Sequence, residues 1–123
     1  MRSVVALAGG VGGAKLALGF SQTLDPDELT VIINTADDDR FYGLHVSPDL
    51  DTVMYTLAGV SNVEMGWGLQ DESFRVLGKL KEYGADAWFN LGDLDLATHL
   101  FLSVMMDEVI SLSEFCAILR EAL

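Results

Sequence analysis

Apolar residues open the chain in a short run, residues 3–8, that is cut off by glycine, and the β-branched pair Val4-Val5 within it predicts a buried strand. Over residues 14–23 the apolar positions Leu16, Leu18 and Phe20 fit one broad helical face, and Asp25-Pro26 ends the helix. Residues 29–33 are again near-continuously apolar, as parallel strands covered on both faces require, so a β-α-β unit follows. Residues 34–45 turn polar and read as a loop at the carboxyl edge of the second strand. Ser47-Pro48-Asp49-Leu50-Asp51 then combines an N-cap serine, proline at the first helical position and acids in the first turn, which predicts a helix to about Ala58. Residues 59–68 are irregular, and residues 71–83 predict an amphipathic helix with Phe74, Leu77 and Leu80 on one stripe and Gly84 as C-cap. Residues 87–91 predict a third short strand, followed by Gly92-Asp93, a helix over 94–106, and a capping box at Ser111 and Glu114 that opens a last helix.

The pattern gives an α/β fold class: a Rossmann-like three-layer α/β/α arrangement with a mostly parallel sheet, incomplete in this chain. Three strands are few for a sheet carrying helices on both faces. Residues 1–123 are therefore expected to form the N-terminal part of a single nucleotide-binding α/β domain of a larger protein.

Composition narrows the function classes. Half of the 123 residues are apolar, enough for one core, yet no window holds the ~18 consecutive apolar residues of a membrane span, so a soluble, cytoplasmic protein with no membrane partner is expected. A formal charge of −12, with only seven Lys and Arg, argues against a nucleic-acid partner. Cys116 is the one cysteine, which excludes an intrachain disulfide and a thiolate metal cluster and leaves it as a small apolar residue.

Four stretches could carry chemistry. Gly9, Gly10, Gly12 and Gly13 follow directly on the first strand, where a sharp backbone turn exposes amides and the next helix adds its positive end; a phosphate fits there, and Lys15 adds a charge that can reach a diphosphate. The lysine replaces the third glycine of a dinucleotide fingerprint, and no Ser or Thr follows it as in a P-loop, so nicotinamide binding and ATP hydrolysis lose ground. The stretch Asn34, Thr35, Ala36, Asp37, Asp38 and Asp39 lies where a second strand reaches ribose or base; Asp37, nearest the strand end, is the better candidate among the acids, and Asp38 and Asp39 either join it or form a solvated loop tip. Asp49 and Asp51 either stabilise a helix dipole or hold Mg²⁺ against bound phosphates, and a free carboxylate there could accept the proton of an incoming hydroxyl. Around Gly92, a strand, a glycine turn and a helix start recur as a possible second wall of the cleft, although Asp93 or Asp95 could simply cap the helix and His99 could be a satisfied helix histidine. The aromatic residues Phe41, Tyr42, Trp67 and Trp88 could stack on a flat ligand, but burial is the commoner fate.

Taken together, Ala8-Gly9-Gly10-Val11-Gly12-Gly13-Ala14-Lys15-Leu16, Asn34-Thr35-Ala36-Asp37-Asp38, His45 to Val53, the Gly66-Trp67-Gly68 turn and the run from Leu91 to His99 resemble, in residues and in order, the 2-phospho-L-lactate transferase family. The resemblance implies a transferase that moves a 2-phospho-L-lactate or phosphoenolpyruvate group from a guanosine-diphosphate-linked donor to the ribityl hydroxyl of the deazaflavin Fo, releasing GMP with the help of Mg²⁺ in coenzyme biosynthesis. It further implies that Gly9, Gly10, Gly12, Gly13 and Lys15 meet the donor phosphates, with Asn34, Thr35 and Asp37 beside the nucleotide or metal. Asp51 would contact the deazaflavin hydroxyl, with Asp49 as metal partner and Asn90, Gly92 and Asp93 on the deazaflavin side. The chain departs from the family pattern at Leu94 and Leu102, where arginine is frequent, and family members are more than twice as long. A nucleotide-binding regulatory module, as in the related gluconeogenesis-factor family, and an inactive fragment are the alternatives; a homodimer is a further possibility.

Overall fold

The structure is a computed structural model that describes residues 3–65, 68–107, 117–118 and 121–122. Gly66, Trp67, Ser111, Glu114 and Cys116, each singled out in the sequence, lie outside the described residues. The elements run β1 (Val4–Ala8), α1 (Gly10–Ser21), β2 (Leu29–Ile33), β3 (Asp39–Phe41), β4 (Leu44–Val46), α2 (Pro48–Ala58), α3 (Arg75–Glu82) and α4 (Asp93–Asp107).

The first unit is the expected β-α-β. β1 and β2 pair in parallel, Val4 opposite Leu29 through Ala8 opposite Ile33. Ala6 and Ala8 turn inward, and Ala8 packs with Ala14 and Ala17 of α1 and Val53 of α2, closed off by Val31 and Ile33. Alanine at each of these positions lets α1 lie close on the strand. Gly13 takes the approach to its limit, since a Cβ there would sit 2.8 Å from Ala8 Cα. The opposite face of this strand pair, Val5, Leu7 and Ile32, is exposed. The described residues thus form a mixed α/β structure with a parallel strand pair and helices on one of its faces.

Four expectations change. The helix after β1 starts at Gly10, not near Ala14, so Gly12, Gly13 and Lys15 lie in helix and the turn itself is only Gly9 and Gly10. Burial of Ala14 and Ala17 outweighs the roughly 1 kcal/mol per residue that glycine costs a helix. Residues 39–46 form an antiparallel hairpin in place of a plain loop, turning through Tyr42 and Gly43 at φ 52° and 79°. The third helix begins at Arg75, because Asp71 adopts φ 57° and the residues after it serve helix ends. Residues 87–91 form no strand: Phe89 stacks on Phe41 at 4.5 Å and Trp88 lies edge-on at 5.3 Å from Phe41, so this segment meets β3 through its aromatic rings and not through a backbone ladder.

α2 is the centre of the arrangement. It begins at Pro48 as expected and ends on the left-handed Gly59. Val53 faces α1, while Met54 packs with Phe101 and Met105 around the fully buried Leu102 of α4. Leu102 is therefore a packing residue. No described helix is long and apolar enough to cross a membrane.

Candidate functional site

The site is built around the first turns of α2. Ser47, buried, does not cap that helix: its hydroxyl donates to Asp38 Oδ2 at 2.9 Å and lies 2.9 Å from His45 Nε2. The hairpin is thereby tied to the helix start, and Asp38 turns inward while Asp37 stays exposed. Asp38 Oδ1 is left buried without a hydrogen bond.

Asp49 and Asp51 are two residues apart, and a helical rotation of roughly 200° sends them to different sides of α2. Asp49 faces the glycine turn. Asn34 Nδ2 donates to its Oδ2 at 2.8 Å, and a Cβ on Gly10 would lie 3.9 Å from its Oδ1. Gly10 itself has φ 66°, a conformation that suits glycine. A phosphate arriving at this turn would meet the carboxylate of Asp49, so the pocket accepts an anion only if a cation sits between them. Thr35 and Lys15 are both exposed.

Asp51 faces the other way, into a buried cluster with α4. His99 Nδ1 lies 3.7 Å from Asp51 Oδ2, and His99 Nε2 lies 3.3 Å from Asp95 Oδ1. The same Asp95 oxygen accepts the Tyr55 hydroxyl at 2.7 Å. Burial pushes the Asp51 carboxyl up to about 8; His99 opposes the rise, and the carboxylates of Asp95 and Asp38 add to it. Burial also raises the Tyr55 phenol, with Asp51 and Asp95 adding to the effect. For His99 burial works against the charged ring, but Asp95 and Asp51 outweigh it and its pKa is raised. Neither ring nitrogen makes a hydrogen bond of good geometry, although both are buried.

Buried polar atoms are nearly always hydrogen-bonded, so the two ring nitrogens of His99 mark a place where a further partner would fit. Asp51, Asp95 and His99 can each offer one donor atom, all within 4.8 Å of one another, so the three fit a divalent cation. Two hard oxygens and one imidazole suit Mn²⁺ as well as Mg²⁺, which would lean on the carboxylates and water. A cation there would reverse the rise of Asp51.

The remaining expected residues sit on the neighbouring wall. A cavity of about 210 Å³ is lined by Asn90, Gly92, Asp95 and Glu72, and a second of about 220 Å³ by Asp51, Tyr55, Phe89 and His99. Asp95 is common to both. Asp93 points away: Oδ1 accepts from Val76 N at 3.0 Å and Oδ2 from Ser73 Oγ at 2.8 Å, which caps α3 and holds its carboxyl below the usual range, chiefly through the Val76 amide. Tyr55, Asp95 and His99 were not chosen from the sequence, yet a signal existed. Asp51 and Tyr55 are four residues apart on α2, as are Asp95 and His99 on α4, so each pair shares a helix face.

Comparison with known proteins places the chain. The profile of the family described as 2-phospho-L-lactate transferase CofD matches residues 4–123. Proteins named phosphoenolpyruvate transferase are similar: that of Kitasatospora aureofaciens is 53% identical over 113 residues, covering 90% of this chain and 35% of that protein. The one from Streptomyces coelicolor is 50% identical over 104 residues, 84% of this chain and 33% of the relative. That of Mycobacterium tuberculosis is 43% identical over 125 residues, 90% and 38%. The chain spans about a third of the length of the curated relatives it matches. It belongs to the 2-phospho-L-lactate transferase family.

Proposed function

From this membership we propose that the chain carries the acceptor-activating and phosphate-binding part of a transferase. The enzyme moves a phosphoenolpyruvate or 2-phospho-L-lactate group from a guanosine-diphosphate-linked donor to the ribityl hydroxyl of Fo. The observation that carries the reading is the division of α2 into two working sides: Asp49 with Asn34 at the glycine turn, and Asp51 with Asp95 and His99 in the buried cluster.

On this reading the donor diphosphate lies along Gly9 and Gly10, with Lys15 and the positive end of α1 balancing its charge. Asp37 and Thr35 face the nucleoside, and Asn90 and Phe89 flank the deazaflavin in the two adjoining cavities. Asp51 accepts the proton of the Fo hydroxyl as that oxygen bonds to the donor phosphorus, and the phosphorus–oxygen bond to GMP breaks. His99 and Tyr55 hold the two carboxylates in place around the hydroxyl. A divalent cation at Asp51, Asp95 and His99, or at Asp49 on the glycine-turn side, would supply charge neutralisation between carboxylates and phosphates. The three-layer sandwich, the single domain that includes residues 1–123, and a cytoplasmic enzyme free or dimeric in solution belong to the same proposal.

Titration of Fo into the chain, followed calorimetrically and checked for folding by far-ultraviolet circular dichroism, tests the acceptor side; GDP with Mg²⁺ tests the donor side. Binding of Fo to the folded chain is expected. A folded chain that leaves Fo unbound removes the acceptor and with it the assignment.

A further inference from the structure

Two short segments, 72–76 and 92–95, cap each other's helices. Asp93 serves the start of α3 as described above, and its own amide donates to Ser73 O at 2.8 Å. In return the Glu72 carboxylate reaches across to the start of α4, where Oε1 accepts from Leu94 N at 2.7 Å and Oε2 from Asp95 N at 3.0 Å. Neither helix supplies its own cap. The Glu72 side chain can lie there only because residue 92 has no side chain: a Cβ on Gly92 would stand 2.1 Å from Glu72 Cγ and Cδ and 2.3 Å from Oε2.

We propose that Glu72 is a positioning residue for Asp95, and that Gly92 is glycine to make room for Glu72, not to let a ligand phosphate approach the backbone. The Asp95 amide is fixed by Glu72 while its carboxylate holds Tyr55 and faces His99. A shift at the backbone of Asp95 is therefore passed to both. Charge-assisted bonds to two successive amides at a helix start hold that backbone more tightly than a hydroxyl cap would. The importance of this clasp for transfer rests on the function proposed above; its geometry does not.

The test uses ¹H–¹⁵N spectra and amide exchange of the chain with Glu72→Ala, Gly92→Ala, the double variant, Glu72→Gln and Ser73→Ala. In Gly92→Ala the new methyl evicts Glu72, so this variant and Glu72→Ala are expected to shift the same His99 ring and Asp95 amide signals. Both should speed exchange of the Leu94 and Asp95 amides about tenfold, the loss expected for a charge-assisted bond. The double variant should add nothing, and Glu72→Gln, which keeps one acceptor, should fall between. Ser73→Ala loosens only the Asp93 side and should leave the His99 ring signals in place. Wild-type His99 signals in Gly92→Ala, additive effects in the double variant, or equal His99 shifts in Ser73→Ala would each overturn the proposal. Mn²⁺ titration of the same variants, read by electron paramagnetic resonance, separates the two readings. Absence of Mn²⁺ binding by the wild-type chain removes the cation site while the spectra still decide the clasp, whereas wild-type Mn²⁺ affinity in both Glu72→Ala and Gly92→Ala counts against positioning.

Discussion

Gly12 and Gly13 are neighbours in the first turns of α1, and the structure predicts opposite responses when each becomes alanine. At Gly12 nothing lies within 4 Å of the added Cβ, and the residue is helical. Alanine there should stabilise the fold by roughly 0.5–1 kcal/mol, the ordinary helix preference over glycine. At Gly13 the same methyl would stand 2.8 Å from Ala8 Cα, 2.9 Å from its Cβ and 3.0 Å from its carbonyl carbon. These are backbone and near-backbone atoms that cannot rotate away, so α1 must lift off β1 and open the packing of Ala14 and Ala17. Overpacking of this kind costs about 1–3 kcal/mol, which exceeds the helix gain and leaves Gly13→Ala destabilised by up to about 2 kcal/mol. Urea unfolding of the two variants beside the parent measures both signs, and the melting temperatures should move in opposite directions by a few degrees. The comparison also separates two reasons for a glycine. If the turn meets phosphate as proposed, Gly12→Ala should be more stable and yet bind GDP with Mg²⁺ less well, because its methyl lies on the open side of the helix start. Equal destabilisation by both variants would refute the steric reasoning, and unchanged GDP affinity in Gly12→Ala would confine phosphate contact to Gly9 and Gly10.

Other perturbations probe the site and the scaffold separately. Asp51→Asn keeps the shape of a buried carboxyl but cannot accept a proton, so transfer should fall about 10²–10⁴-fold with the far-ultraviolet spectrum unchanged; a fully active variant would end the role given to Asp51. Leu102→Ala should cost about 2–5 kcal/mol in urea unfolding, since Leu102 is fully buried among Met54, Phe101 and Met105; a loss below about 1 kcal/mol would mean that the α2–α4 contact is loose. Asp93 has its pKa lowered, chiefly by the Val76 amide, so it binds its proton more weakly folded than unfolded. Its contribution to stability is therefore complete above the unfolded value near 4 and is lost as pH falls through the lower folded value. Asp93→Asn should flatten the acid limb of stability below about pH 4, and an unchanged limb would show that Asp93 does not cap α3 in solution.

How much of this was legible in the sequence depends on whether the signal was local. β1, β2 and α2 were, because a β-branched run bounded by glycine and a Ser-Pro-Asp start each act within a few residues. The hairpin was hidden by its turn. Tyr42 carries a positive φ that its side chain does not advertise, and the acids before it look like solvated loop. The early start of α1 was hidden by composition, since four glycines weaken a helix, and only at Gly13 does the close face of β1 require one. Residues 87–91 have the apolar character of a strand, but a strand exists only through a partner, and their aromatic rings found Phe41 instead.

The site shows the same division more sharply. Asp49 and Asp51 were read together as metal candidates because only Leu50 separates them in sequence, yet helix geometry gives acids two residues apart different neighbours. What groups residues on helices is a spacing of four, and two such pairs, Asp51 with Tyr55 and Asp95 with His99, face each other across α2 and α4. Each pair alone is ambiguous, since an acid beside a tyrosine or a histidine on one helix face occurs without function. The structure adds that the two faces meet out of water, where a carboxyl rises to about 8 and an imidazole keeps both nitrogens without hydrogen bonds. Such a cluster is costly to leave empty, because desolvated like charges repel and unpaired donors lose their water. That this cost is borne at the meeting point of two helices, beside a glycine turn already lined by Asp49, is what the proposed transfer would explain, since a cation and a proton-donating hydroxyl would each complete the cluster.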